Sequence, residues 1–143
     1  SLPYRSDAIG YSASNAVDGS NKTHGWYCYT SSDRPSDNPA FWRVDLGQEY
    51  SIAQVRLLRR DDCCTTRFRY IKVLVSKTIS KDVYTGAEVC YQHDEYPEGH
   101  GLWFNETCPV PMTGRYVTVA KDTTKRREGL CLCEFEVYAP GKM

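Results

Sequence analysis

The chain carries no net charge: eighteen lysines and arginines cancel eighteen aspartates and glutamates over 143 residues. No global field therefore draws it to nucleic acid or to an anionic membrane, and any electrostatic recognition has to be local. It has no apolar run near the roughly 20 residues that a transmembrane helix needs. Its first residues, SLPYRSDAIG, lack the charged-then-apolar layout of a signal peptide, so the sequence reads as a mature or excised piece. The length fits a single domain over residues 1–143, enough to bury about two thirds of its unfolded surface. No segment sustains a 3.6-residue period, so helix should be minor. The cysteines never take the C-x2-C spacing of a zinc knuckle. His24, His93 and His100 fall in loop-like stretches with no G-x-S-x-G or H-E-x-x-H beside them, and Asp61 and Asp62 are adjacent rather than opposed, which argues against an enzyme.

What the chain does have is cysteine and strand alternation. Seven cysteines, with the sequons Asn21-Lys22-Thr23 and Asn105-Glu106-Thr107, point to an oxidising, secretory environment and to disulfides rather than metal. Seven is odd, so one thiol is left over. FWRVDL sets Trp42, Val44 and Leu46 against Phe41, Arg43 and Asp45, the period-2 pattern of a half-buried strand. SIAQVRLL, YIKVLVSK, RYVTVAK and CEFEVYA repeat it, and turn-rich stretches such as DGSNKTHG, SSDRPSDNP, YPEGHG and PVPMTG separate them. Many short strands with long polar connections predict an all-β fold, an antiparallel sandwich or jelly roll whose loops gather at its ends. Within RRDDCCTTR, Cys63 and Cys64 are neighbours whose Cα atoms sit about 3.8 Å apart. A relaxed disulfide wants roughly 4.4 to 6.8 Å, so a ring closed between them is strained, and the alternative is that each pairs with a distant partner.

Taken in order, ASNAVDGS, NPAFWRVDLGQEYSIAQVRL, RRDDCCTTR, CPVPMTGRYVTV and LCEFEV resemble the F-type lectins, the fucolectin family related to eel agglutinin, over nearly the whole chain. WRVDL and CEFEV also fit the wider discoidin-like, F5/8 type C jelly rolls, which share fold rather than ligand. The R-x-D-C-C-x-x-R block distinguishes the lectins. The resemblance implies a jelly-roll β-sandwich with long loops at one end and a sugar site built from a histidine, a downstream R-x-D and a further basic residue. Arg60, Asp62 and Arg67 match the last three; alignment on Cys28 puts Thr30 at the histidine position, and counting back from Arg60 lands near Asp33.

The chemistry of these residues suits a neutral sugar. Two guanidiniums offer planar, fixed donors to neighbouring hydroxyl and ring oxygens, and Asp62 can hold Arg60 in its binding rotamer. Read without the resemblance, the same residues are a solvated salt bridge beside a turn. If Cys63 and Cys64 close a vicinal ring they make a rigid apolar knob, which in the resembled lectins packs against the sugar's less polar face, and Trp26, Tyr27 and Tyr29 are aromatic candidates for a deoxy-sugar methyl or for ordinary packing.

The resemblance further implies disulfides Cys28–Cys133 and Cys90–Cys108, leaving Cys131 over, and a structural calcium. Its candidate donors are Asn15, Asp18 and Ser20, backbone oxygens near Tyr27 and Cys133, and the Glu134 carboxylate, an oxygen set that suits Ca²⁺. The expected function is an extracellular lectin for fucosylated glycans. The alternative is a lectin fold with a diverged site for another glycan or for a cell-surface protein; Arg56, Arg59, Arg69 and the Lys125-Arg126-Arg127 run would favour an anionic one. One shallow site binds weakly, so an oligomer is an expected source of avidity.

Overall fold

A computed structural model describes residues 16, 17, 19, 22, 23, 28–30, 40–61, 68–80, 82–97, 99–122 and 129–141. They contain seven strands: β1 (Tyr29–Thr30), β2 (Phe41–Leu58), β3 (Ile71–Ser76), β4 (Ala87–His93), β5 (Trp103–Lys121), β6 (Cys131–Leu132) and β7 (Glu134–Tyr138). Five of them form an antiparallel sheet in the order β4-β3-β5-β2-β7, and β1 pairs with β6. Among the described residues the only helical geometry is a short 3₁₀ turn at Ala16 and Val17.

The lengths of β2 and β5 force the architecture. At about 3.3 Å per residue a straight 18-residue strand spans roughly 60 Å, whereas a compact chain of 143 residues has a radius of gyration of about 14.5 Å. Both strands therefore fold over. The registers break between Asp45 and Tyr50 and again between Ile52 and Gln54. Gly47 supplies the left-handed backbone at the bend (φ 88°), and Asp45 closes it by accepting from Gly47 N–H (2.8 Å) and from the Arg115 guanidinium (2.7 and 2.9 Å). The first half of β2 pairs with residues 116–120 of β5, and the second half with residues 103–107 and with β7. The halves face each other as a sandwich, shown by Trp42 against Phe135 (ring centroids 5.3 Å) and Phe68 against Phe104 (4.9 Å). Between them lie Ile52, Val55, Leu57, Ile71, Val73, Val117, Val119 and Leu132, all fully buried.

Three expectations change. FWRVDL and SIAQVRLL are one bent strand, not two. The expected PVPMTG turn is strand: residues 108–111 have no partner in β2, so Pro109 and Pro111 forfeit no ladder hydrogen bond there. Strand β4 went unseen because it is an edge strand in which Cys90 alone is buried, leaving no apolar alternation to read. The fold-over also brings the start and end of β2 to the same end of the sandwich: the Tyr29 hydroxyl donates to Phe41 O (3.1 Å), while Cys133 N–H, beyond the paired Leu132, donates to Leu58 O (2.8 Å).

Candidate functional site

The end of the sandwich where β2 begins and finishes collects the described site residues. Cys28 and Cys133 are disulfide-bonded and fully buried, packed with Leu58 and the partly buried Leu102 and Trp103. The bond holds β1 against β6 in a register that sets Tyr29 opposite Leu132 and Thr30 opposite Cys131. The chain leaving β2 is fixed by Arg59 N–H donating to Leu102 O (3.1 Å) and Asp61 N–H donating to Thr23 O (3.0 Å). Arg59 turns its guanidinium over the Tyr96 ring (5.3 Å) and donates from Nη1 to the Arg60 carbonyl (3.1 Å), so it braces the backbone that presents Arg60.

Thr30, Cys131 and Arg60 meet there. Thr30 is 4 % exposed and its Oγ1 makes no hydrogen bond among the described residues. Cys131 is a free thiol; burial pushes it up from its ordinary range, while the Thr30 hydroxyl and the Arg60 guanidinium beside it pull the other way. The hydroxyl is near enough to act on the thiol yet outside hydrogen-bond geometry, so a buried polar oxygen is left to be satisfied from elsewhere. Cys90 and Cys108 form the second disulfide, enclosing the segment with Pro97 and Gly99.

Other expected residues fall outside the described ones: Trp26 and Tyr27, Asp62, Cys63, Cys64 and Arg67 of the sugar site, Asn15, Asp18 and Ser20 of the calcium site, and Asn21 of the first sequon. Of the calcium donors, Cys133 and Glu134 are described. Glu134 is 5 % exposed and accepts from Phe135 N–H (3.3 Å), so a carboxylate is buried beside the disulfide. The other segment lies close by: Lys22 O is 3.9 Å from the Cys28 sulfur, Ala16 is fully buried, and Gly19 turns the chain at φ 78°. A buried carboxylate is an oxygen donor of the kind that a hard divalent cation takes. Asn105 is exposed on β5, with its Oδ1 accepting from Arg56 Nε (2.6 Å).

Two expectations about polar groups are corrected. Arg56 and Arg69 do not add free positive charge: Arg56 is paired with Glu136 (2.7 Å) and stacked over Trp103 (4.1 Å), and Arg69 is paired with Glu95 (3.7 Å). His93 is not a loop residue; it ends β4, half-buried, with both ring nitrogens hydrogen-bonded. It was missed because its partners come together only in the fold: Tyr91 OH lies within β4, and Phe68 O lies in the segment ahead of β3.

Comparison with known proteins gives a consistent picture. A profile for the F5/F8 type C, NedA-like, galactose-binding domain matches residues 15–119. Fucolectin-3 of Anguilla japonica is 38 % identical over 128 residues, 87 % of this chain and 65 % of that protein. Fucolectin of Anguilla anguilla is 34 % identical over 125 residues, 87 % of this chain and 75 % of that protein. The crystal structure of an F-lectin (fucolectin) from Morone saxatilis (striped bass) serum superposes with a TM-score of 0.83 at 23 % identity, over 97 % of this chain and 45 % of that one. The chain thus spans about two thirds of the first of these relatives and under half of the striped bass protein.

Proposed function

Because the chain belongs to the fucolectin family and carries its F5/F8 type C domain, we propose that it is a carbohydrate-binding lectin domain that takes fucosylated glycans at the end of the sandwich where β2 begins and finishes. The observation that carries the reading is the meeting of Arg60 and Thr30 around Cys131 at that end. Arg60 and Arg67 act as a pair of planar donors to neighbouring sugar oxygens, and Asp62 holds Arg60 in place. A Cys63–Cys64 ring supplies an apolar platform, with Trp26 and Tyr27 beside it for a sugar methyl. Thr30 stands in for the family histidine. Its hydroxyl both donates and accepts, so a sugar hydroxyl would relieve the cost of about 1–3 kcal/mol that an unpaired buried polar group carries.

Calcium, held by Asn15, Asp18, Ser20, backbone oxygens near Tyr27 and Cys133, and Glu134, would tie the first segment to the last strand and take no part in any reaction. The residues bind and orient, and the function needs no bond to break. Two disulfides that have to persist favour an extracellular setting. The pairing of Arg56 and Arg69 weighs against a site chosen for sulfated or sialylated glycans.

A glycan array probed with the purified domain, with and without calcium, tests the reading. Fucosylated structures are expected to retain the parent and not Arg60→Ala. Retention on anionic glycans alone, or on none, would replace fucose recognition with the diverged-site reading.

A further inference from the structure

The second half of β2 runs between β7 and residues 103–107 of β5, and this three-stranded layer turns one face to the core and the other outward. Across the outward face the registers set Glu136, Arg56 and Asn105 side by side. Arg56 holds that row together. Its Nη1 donates to Glu136 Oε1 (2.7 Å), its Nε donates to Asn105 Oδ1 (2.6 Å), and its guanidinium lies over the Trp103 ring (4.1 Å). The Tyr138 hydroxyl donates to the same Glu136 oxygen (3.0 Å).

Asn105 opens the triplet Asn105-Glu106-Thr107, the acceptor pattern for N-linked glycans. Side chains two apart on a strand share a face, so Asn105 and Thr107 both stand on the outward one; both are exposed, whereas Phe104 and Cys108 are buried. A guanidinium only donates, so the end of the Asn105 amide that meets Arg56 has to be its oxygen. The amide nitrogen is then turned away from β2, and it makes no hydrogen bond among the described residues. On that side residues 103–107 have no strand neighbour among the described residues, since β3 pairs with β5 only over residues 116–121. A sugar on the nitrogen therefore consumes nothing that the fold uses. The amide keeps its carbonyl oxygen, Arg56 keeps its acceptor, and the core face of the layer is untouched.

We propose that Asn105 is an N-glycosylation site, and that the folded domain carries the glycan on Nδ2, outside the three-stranded layer, while Arg56 keeps hold of Oδ1. The co-reactant is a lipid-linked oligosaccharide with N-acetylglucosamine at its reducing end. The amide nitrogen bonds to C1 of that sugar and loses one proton, the bond from C1 to the pyrophosphate oxygen breaks, and the lipid pyrophosphate leaves with the electron pair. The transfer needs passage through the secretory pathway, which the two disulfides favour, and it does not need the lectin reading. A bulky, hydrophilic group at this point takes the outward face of the layer out of contact with a second copy, so an oligomer would assemble through another surface.

The test expresses the whole chain behind a cleavable secretory leader in cultured animal cells. The secreted protein is treated with peptide-N-glycosidase in heavy-oxygen water, which leaves a labelled aspartate wherever a glycan was attached. Mass spectrometry of the peptide holding residues 103–107 is expected to find the label in most of the parent. Asn105→Gln and Thr107→Ala should lack it there, and Asn21→Gln should keep it. Thr107→Ala loses the glycan but leaves the Asn105 amide beside Arg56, so it reports what the glycan does to the fold: the glycosylated parent should melt no lower than this variant. An unlabelled position 105 in the secreted parent overturns the proposal, and so does a label confined to chains retained inside the cell. A labelled parent that melts well below Thr107→Ala overturns the placement, because the sugar would then displace a contact that Asn105 makes. If neither variant is secreted, the parent before and after enzymatic removal of the glycan supplies the same comparison.

Discussion

Thr30 and Cys131 stand opposite each other across the two-residue pairing of β1 with β6, and the buried hydroxyl of the first finds no hydrogen bond in the thiol of the second. The oxygen is thus a cost to the unliganded fold and an opportunity for a ligand. Thr30→Val keeps the shape and removes the oxygen. Its unfolding free energy should rise by up to about 1 kcal/mol, since an unpaired buried polar group is a net penalty, while affinity for a fucose conjugate should fall. A parallel rise or fall of both in urea titrations and binding isotherms would mean that the hydroxyl does not face the sugar.

Restoring the family histidine is less simple than the sequence suggests, because Thr30 is buried and Cys131 occupies the adjoining space. Thr30→His alone should destabilise by about 1–3 kcal/mol through overpacking. Thr30→His with Cys131→Gly should recover part of that and bind fucose more tightly than the parent. Thermal melts and the same binding assay check both, and a stable single variant would show that the space is larger than it looks.

Arg60 is partly exposed, and Arg59 braces the backbone there through Tyr96 and the Arg60 carbonyl. Arg60→Ala should therefore remove glycan binding with a fall in melting temperature of no more than about 4 °C, the shift that roughly 1 kcal/mol produces in a domain of this size. Arg59→Ala should do the reverse, lowering stability more than it alters the sugar contacts themselves.

The two disulfides close loops of very different length, with sequence separations of 105 for Cys28–Cys133 and 18 for Cys90–Cys108. On chain entropy alone, replacing the first pair by alanine should cost about 4.8 kcal/mol and the second about 3.2 kcal/mol. Because the first also joins β1 to the β7 end, its loss should take glycan binding with it. Urea unfolding of the two double variants gives the order, and a larger loss from the Cys90–Cys108 pair would contradict it.

Calcium should raise the melting temperature of the parent by mass action, by an amount equivalent to about 2.7 kcal/mol when calcium is at a hundred times its dissociation constant. Asp18→Ala and Glu134→Gln should abolish the shift. Melts superimposable with excess calcium and with chelator would remove calcium from this chain's site.

Period-2 alternation in FWRVDL, YIKVLVSK and CEFEVYA was enough to specify strands whose apolar faces meet, because half-buried strands leave a local signature. The R-x-D-C-C-x-x-R block, with WRVDL and CEFEV, pointed to the family for a similar reason: each is a run of contiguous residue types. Strand β4 left no such trace, since an edge strand has little to bury, and the prolines of PVPMTG counted as a turn until the missing ladder partner explained them. Only the folding over of β2 and β5 decided what meets at the site. It set Thr30 against Cys131 and Arg60, paired Arg56 with Glu136 instead of leaving it to a ligand, and enclosed His93 between Phe68 and Tyr91. Whether a polar side chain is buried, paired or available depends on atoms far away in the chain, and those contacts come into being only when the two layers close.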